Sequence, residues 1–337
     1  MKKVLIIRFS SLGDIILTSP VVETLALGHG YHTDFLTKEY YRPIARLIPG
    51  VSDVFVYGGD RKSMIAALKK SRYDAVIDLQ KNPRSLLIAA ALNPRIVCGY
   101  PKRKIRREIA IRGMRLKPEI PHVIDSYLKS LVRLKIKPAV SRPRLVVPMP
   151  LLDEADKFLG NRDGKPTVGL APGSKHPEKR WPGFADLIAL IAASLDATIV
   201  VFAASADGSE FSLRQRFPAV KFAIDLPLDL LAAVMARCRA VVANDSGLMH
   251  MAAALSVPVI GIFGPTHPVL GFAPRGEKAR IICDYVKCSP CSLHGEKKCR
   301  MPAKYCFDNI TPDRVMNELW ETLSETEGSV ILRKTAR

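Results

Sequence analysis

Short apolar runs alternate with helix-like stretches along most of this chain, and that alternation limits its possible folds more than any other feature. "KKVLIIRF" near the start is a buried-strand pattern, followed by the polar turn "SSLGD" and by "IILTSPVVETLAL", which reads as a helix. "TDFLT", "VSDVFVY" and "YDAVIDL" repeat the strand pattern, separated by helical stretches such as "RKSMIAALKKS" and "SLLIAAAL". Strands that alternate with helices predict a parallel, doubly wound α/β sheet.

The alternation stops and then restarts. Around Pro138 to Pro177 the texture changes, and the proline-rich "KPAVSRPRLVVPMP", a helix at "LLDEADKFLG" and "NRDGKP", which ends at Pro166, read as a linker. Beyond it come "TVGLAPG", "GFADLIALIAASL", "ATIVVFAA", "VKFAIDL", "LDLLAAVMARC", "AVVAND", "GLMHMAAAL" and "VPVIGIFG". A chain of 337 residues exceeds the usual size of one core. Two similar α/β domains facing a cleft are therefore expected, residues 1–150 and 151–324, with a loosely held tail at 325–337. "TPDRVMNELWETLSETEG" predicts a terminal helix with Thr311 as N-cap and Pro312 at the first helical position. Ligands of such sheets sit beyond the carboxyl ends of the strands.

Fifty-one Lys and Arg against 32 Asp and Glu leave a net charge of +19 at pH 7, which calls for an anionic partner. Charge alone does not choose among nucleic acid, nucleotide phosphates, phosphorylated glycans and anionic lipid surfaces. No apolar run approaches the ~18 residues of a bilayer span. "MKKVLIIRFSS" imitates a secretory signal, but Arg8 interrupts the apolar segment and no small-residue cleavage site follows. The expectation is a cytoplasmic protein able to visit a membrane face.

Three turns concentrate the polar chemistry. In "SSLGDIILTSP", Ser10, Ser11 and Gly13 form a tight strand-to-helix turn and Asp14 stands at the helix start; the plainer role for Asp14 is a helix cap worth ~1 kcal/mol. In "APGSKHPEKRWPGF", Gly173 and Ser174 open a loop carrying Lys175, Lys179 and Arg180. Such a loop suits a diphosphate, with Lys as a point charge and Arg as a fork, or is simply a solvated basic loop. In "VVANDSGLMHMAAALSVPVIGIFGPTHP" a strand ends at Asn244 and a helix begins near Ser246 and Gly247. Its unpaired first-turn amides and dipole stabilise an anion by ~0.3–2 kcal/mol. Asp245 can order the turn or meet a sugar hydroxyl. His250 lies on the same helical face as Ser246 and reaches toward a phosphate, although a lone helix histidine is more often a packed one. Thr266 and His267 can border the same pocket. None of these turns has Gly-x-Gly-x-x-Gly or Walker spacing, so dinucleotide oxidoreduction and P-loop hydrolysis lack their fingerprints.

Taken in order, "IIRFSSLGDIILTSPVVETL", "PGSKHPEKRWPGFADLI" and "ANDSGLMHMAAALSVPVIGIFGPTHP" resemble glycosyltransferase family 9, the ADP-heptose:lipopolysaccharide heptosyltransferases and their relatives, from Met1 to about Trp320. The resemblance implies a GT-B fold of two Rossmann-like domains, the first binding acceptor and the second the nucleotide-sugar. It also implies inverting transfer without a catalytic metal. On that basis Asp14 is the general base and Lys179, in "KRWP", is the second catalytic residue. Ser174, Lys175, Arg180, Asp245, Ser246, Gly247, His250 and Thr266 fall on the donor side. Ser246 stands where Thr is usual and keeps the hydroxyl. Ser10, Ser11, Gly13, Arg103 and Arg106 fall on the acceptor side.

"PKRKIRREIAIRGMRLK" carries eight basic residues and one acidic residue. It lacks the aromatic interleaving of a nucleic-acid binder, so nucleic acid is not expected. For a relative of heptosyltransferases the same patch suits a phosphorylated lipid-linked glycan at the anionic cytoplasmic leaflet of the inner membrane, at ~1 kcal/mol per cation. A solvated charged face is the plainer reading. Five of the seven cysteines crowd between Cys283 and Cys306. Cys288, Cys291, Cys299 and Cys306 can close a structural zinc site or hold an iron-sulphur cluster; disulfides and free thiols are the alternatives. Two other functions stay open: a GT-B nucleotide-sugar epimerase, and a non-catalytic basic glycan- or polyanion-binding protein.

Overall fold

The computed structural model describes residues 2–111, 120–160, 162, 164–205 and 210–326. The expected loose tail lies outside the described residues apart from its first two positions, as do Arg112, Arg115 and Lys117 of the basic stretch. The chain divides into two compact units: Met1–Lys102 with Pro121–Val146, and Arg103–Ile120 with Val147–Arg337.

The first unit holds a five-stranded sheet of β1 (Lys3–Ile7), β2 (His32–Thr37), β3 (Val51–Val56), β4 (Ala75–Asp78) and β5 (Ile96–Gly99). Its order is β3-β2-β1-β4-β5 and every pairing is parallel. Helices cover both faces of a parallel sheet, so a central strand has no solvent side and needs no polar alternation. Val4, Leu5, Ile6 and Ile7 accordingly have no exposed surface. Local chemistry sets the helix starts. Asp60 accepts from the Lys62 and Ser63 amides at 3.0 and 3.1 Å ahead of the helix Arg61–Lys70. Asn82 and Ser85 exchange side-chain to backbone bonds at the start of Pro83–Leu92.

The second unit repeats the plan with β6 (Thr167–Ala171), β7 (Thr198–Ala203), β8 (Lys221–Ile224), β9 (Ala240–Asn244), β10 (Val259–Phe263) and β11 (Ala279–Cys283). Its order is β11-β10-β9-β6-β7-β8, again all parallel. The predicted terminal helix spans Pro312–Thr326, and Thr311 Oγ1 accepts from the Arg314 amide at 3.2 Å. Val315, Leu319 and Leu323, four residues apart, are fully buried on its inner face.

The observed division differs from the expected boundary at 150/151. The helix Met149–Leu159, read as part of the linker, packs on the helix Leu228–Ala236 and so opens the second unit. The helix Lys104–Ile111, with Arg103 before it, also falls in the second unit, although the sequence placed Arg103 and Arg106 in the first domain. Arg107 holds it there: its guanidinium donates to Leu270 O at 3.1 Å and lies 4.5 Å from the centre of the Phe272 ring. Arg106 on the same helix is exposed.

Candidate functional site

Each sheet reverses strand order once. In the first the reversal falls between β1 and β4, and in the second between β6 and β9. At such a switch point neighbouring strands send their following loops to opposite faces and leave a crevice at their carboxyl ends. The three turns singled out in the sequence follow β1, β6 and β9.

Beyond β1, Asp14 occupies the first turn of the helix Leu12–Ile16. Its carboxylate accepts from the Ser11 amide at 3.2 Å and the Ser11 hydroxyl at 2.9 Å, so the capping role is real. Two further partners were not anticipated. Arg8 Nη2 stands 2.7 Å from Asp14 Oδ2, and the Tyr127 hydroxyl donates to Oδ1 at 3.0 Å. Arg8 is fixed in turn through Leu79 O at 2.5 Å and Ser10 O at 2.7 Å, and its guanidinium lies 5.7 Å from the Tyr127 ring centre. Burial works to raise the Asp14 carboxyl, but Arg8, with Ser11 and Tyr127, holds it below its ordinary value. Burial and the Asp14 charge push the Tyr127 phenol well up. The result is an ionised, oriented carboxylate whose side chain is still 23% exposed. Such a group can take a proton from a hydroxyl, as a weak base acting late in the reaction.

Beyond β6 and β9 lies a different chemistry. Lys179 Nζ meets Asp245 Oδ2 at 3.1 Å, and the Thr266 hydroxyl donates to the same oxygen at 2.7 Å. Asp245 therefore aims the lysine, and Thr266 aims Asp245. The loop after β6 is pinned to β9 by Asn244, which accepts from the Trp181 amide at 3.1 Å and donates to Pro172 O at 2.6 Å. Trp181 also donates its indole N–H to Ile310 O at 2.8 Å. Arg180 turns back on its own loop, donating through Nε and Nη2 to Ser174 O at 3.2 and 3.0 Å. Lys175 is exposed.

Ser246 is the N-cap of the helix Gly247–Ala254, and its side chain makes no capping bond. The first-turn amides from Gly247 onward are thus left to an outside acceptor. The hydroxyls of Ser246 and Ser174 are both buried with no hydrogen-bond partner. Buried polar atoms are nearly always satisfied, so two orphans beside an uncapped helix and a lysine describe an anion site with hydroxyl donors. His250 is buried four residues beyond Ser246. His267 is buried too, and its ring nitrogen accepts from the Val269 amide at 3.0 Å.

Cys288, Cys291, Cys299 and Cys306 line one cavity together with Glu178, Lys297, Lys304 and Tyr305, and no two of the seven cysteines are joined in a disulfide. Arg8 and Tyr127 are the residues that sequence reasoning missed. "IIRF" showed a cation at a strand end and could have flagged Arg8, whereas Tyr127 carried no local signal.

Two Rossmann-like units, one presenting a carboxylate and the other an anion site at their switch points, define a glycosyltransferase of the GT-B fold. The chain belongs to glycosyltransferase family 9 (heptosyltransferase), whose family description matches residues 61–303. It is 28% identical to lipopolysaccharide heptosyltransferase 2 of Salmonella typhimurium, covering 96% of this chain and 99% of that one. With the Escherichia coli lipopolysaccharide heptosyltransferase 2 it shares 27% identity over the same shares of each chain. Among solved structures it superposes on E. coli ADP-heptose LPS heptosyltransferase II with a TM-score of 0.76 at 25% identity, covering 96% of this chain and 99% of that one. These relatives favour neither the epimerase nor the non-catalytic binding reading. Among the described residues no helix is long and apolar enough to cross a membrane.

Proposed function

We propose that this glycosyltransferase moves a heptose from ADP-heptose to a lipopolysaccharide-core or related surface glycan, with inversion at the anomeric carbon. ADP-heptose is the donor named for its E. coli structural relative, and lipopolysaccharide is the acceptor class of its sequence relatives. The observation that carries the reading is the anion site after β6 and β9: Lys179 aimed by Asp245, an uncapped helix start, and the unpartnered hydroxyls of Ser174 and Ser246.

In the proposed reaction an acceptor hydroxyl oxygen attacks the anomeric carbon while its proton passes to the Asp14 carboxylate. The bond from that carbon to the β-phosphate oxygen breaks, and its electron pair leaves with ADP. One displacement inverts the centre. Charge grows on the departing diphosphate, where Lys179, Arg180, the Ser246 hydroxyl and the Gly247 amide supply donors set in place beforehand. Nothing in this chemistry requires a catalytic metal. His250 and Thr266 complete the donor side, and Ser10, Ser11 and Gly13 shape the acceptor side around Asp14. The protein works in the cytoplasm, and the exposed Lys102, Lys104 and Arg106 draw it to the anionic face of the inner membrane, where a phosphorylated lipid-linked acceptor resides.

The test is incubation of the purified chain with ADP-, UDP-, GDP- and CDP-linked sugars, with and without a core oligosaccharide acceptor lacking its terminal heptose. Acceptor-dependent release of ADP, with an acceptor mass gain of one heptose, is expected. Free epimerised nucleotide-sugar, or tight polyanion binding without turnover, would overturn the reading.

A further inference from the structure

From Cys283, where β11 ends, to Pro312, where the terminal helix begins, the only regular element is a single 3-10 turn at Tyr305–Phe307. An irregular segment that long is uncommon inside a compact domain unless something holds it or it serves a function. This segment bonds to the two turns that carry Thr266 and Lys179. The Cys291 amide donates to Pro265 O at 3.0 Å and the Ser289 hydroxyl to Gly264 O at 2.8 Å, so the segment braces the turn that carries Thr266. Lys304 Nζ donates to Pro177 O at 3.2 Å, within the loop that carries Lys179. Gly295, at φ +82°, passes so near Lys179 that an added Cβ would meet its Cδ at 2.8 Å.

We infer that Cys288, Cys291, Cys299 and Cys306 hold one thiophilic metal ion, zinc or iron, and that this ion fastens the segment as a buttress behind Lys179 and Thr266. The four cysteines line a single cavity and begin with a C-x2-C pair, the spacing of tetrahedral thiolate sites. Four thiolates around a dication leave two negative charges; Lys297 lines the same cavity, and Lys304, which lines it too, is paired with Glu178 at 3.4 Å. No three of these sulfurs yet lie within 4.8 Å of one another, a spacing met among the described residues by His32, Asp34 and Asp53. Loading therefore draws an irregular segment inward, as expected where binding completes local folding. Each thiol loses its proton to solvent as its sulfur–metal bond forms, including those of Cys291 and Cys299, which now donate to Pro265 O and Ala303 O. No oxidant or reductant is consumed. The inference concerns a structural ion and does not depend on which sugar is transferred.

The test begins with the full chain purified without chelator. Elemental analysis is expected to give about one zinc or iron per chain, and cobalt(II) added to the chelated protein should produce the visible bands of tetrahedral thiolate-bound cobalt. Chelation should weaken ADP binding about tenfold by calorimetry, and zinc should restore it. Cys288→Ser with Cys291→Ser should abolish the cobalt bands. Metal-free protein as purified that shows no cobalt bands, or two disulfides found by mass spectrometry, would overturn the ion. Metal loss that leaves ADP affinity unchanged would overturn the buttress. The metal and spectral readouts need no turnover, so they stand or fall separately from the sugar-transfer proposal.

Discussion

The Tyr127 hydroxyl donates to Asp14 Oδ1 at 3.0 Å while Arg8 pairs with Asp14 Oδ2 at 2.7 Å, so each oxygen of one carboxylate is claimed by a different partner. The carboxylate is thereby fixed in rotation and held ionised. Asp14→Ala is expected to lower kcat for transfer by about 10²- to 10⁴-fold, the usual worth of a positioned base, with ADP affinity unchanged by calorimetry. Transfer at full rate in that variant would remove Asp14 from the mechanism.

The same environment sets a pH signature. Asp14 lies below its ordinary value of 3.8 in the folded chain, so its contribution to stability is fully present above that value and is lost as pH falls through the lower, folded one. The stability difference between the wild type and Asp14→Asn should stay constant from about pH 8 to 5 and shrink below about 4. Thermal melts across pH measure it. In kcat/KM, no acid limb between about pH 5 and 8 should belong to Asp14; a limb there that disappears in Asp14→Asn would contradict this assignment.

Ser174 and Ser246 offer a test that separates binding from folding. Their buried hydroxyls have no partner in the protein, so their removal costs the fold nothing in hydrogen bonding. Ser246→Ala and Ser174→Ala should melt at or slightly above the wild-type temperature. ADP affinity should fall about fivefold in each, the equivalent of ~1 kcal/mol for one hydrogen bond. Lower melting with unchanged ADP affinity would make these hydroxyls structural.

Lys179 and Asp245 behave in the opposite way. Their side chains are only 12% and 11% exposed, so Lys179→Met strands a buried carboxylate and should cost about 3 kcal/mol of stability as well as donor affinity. Adding Asp245→Asn should recover most of the stability and none of the affinity. Calorimetric unfolding and ADP titration of the pair read both quantities, and recovery of affinity in the double variant would exclude Lys179 as a phosphate ligand.

Two glycines near this site differ in what stands over them. A methyl at Gly264 would enter the ring of Phe307, which is part of the second unit's core, whereas at Gly261 it would meet the flexible Met249 Sδ at 2.6 Å. Gly264→Ala should cost about 1–3 kcal/mol and Gly261→Ala less, as measured by urea unfolding. The reverse order would mean that Phe307 swings aside more easily than the methionine.

The alternation of apolar strands and helices was legible because parallel strands buried on both faces need no polar positions, so "VLII", "VVFA" and "VIGIF" stand out as unbroken runs. The turns after β1, β6 and β9 were legible because glycine, serine and proline mark where those runs end. The strands Ile96–Gly99 and Ala279–Cys283 escaped notice because each is the outermost strand on its side, partly exposed, and its apolar run is short. The pairing of Tyr127 with Asp14 spans 113 residues and leaves no periodic trace. The helix Lys104–Ile111 read as basic surface, and only the tertiary contacts of Arg107 with Leu270 and Phe272 assign it to the second unit. Asp245 was visible as a turn residue, but its grip on Lys179 required the loop after β6 to fold back across β9.

Trp181 is tied at two points, by its amide to the tip of β9 and by its indole to Ile310, just before the terminal helix. The peptide carrying Lys179 is thus moored to a stretch of chain 129 residues away in sequence. Changes at that distant mooring reach the lysine mechanically, giving sequence drift around Ile310 a means of retuning turnover while every ligand-touching side chain stays the same.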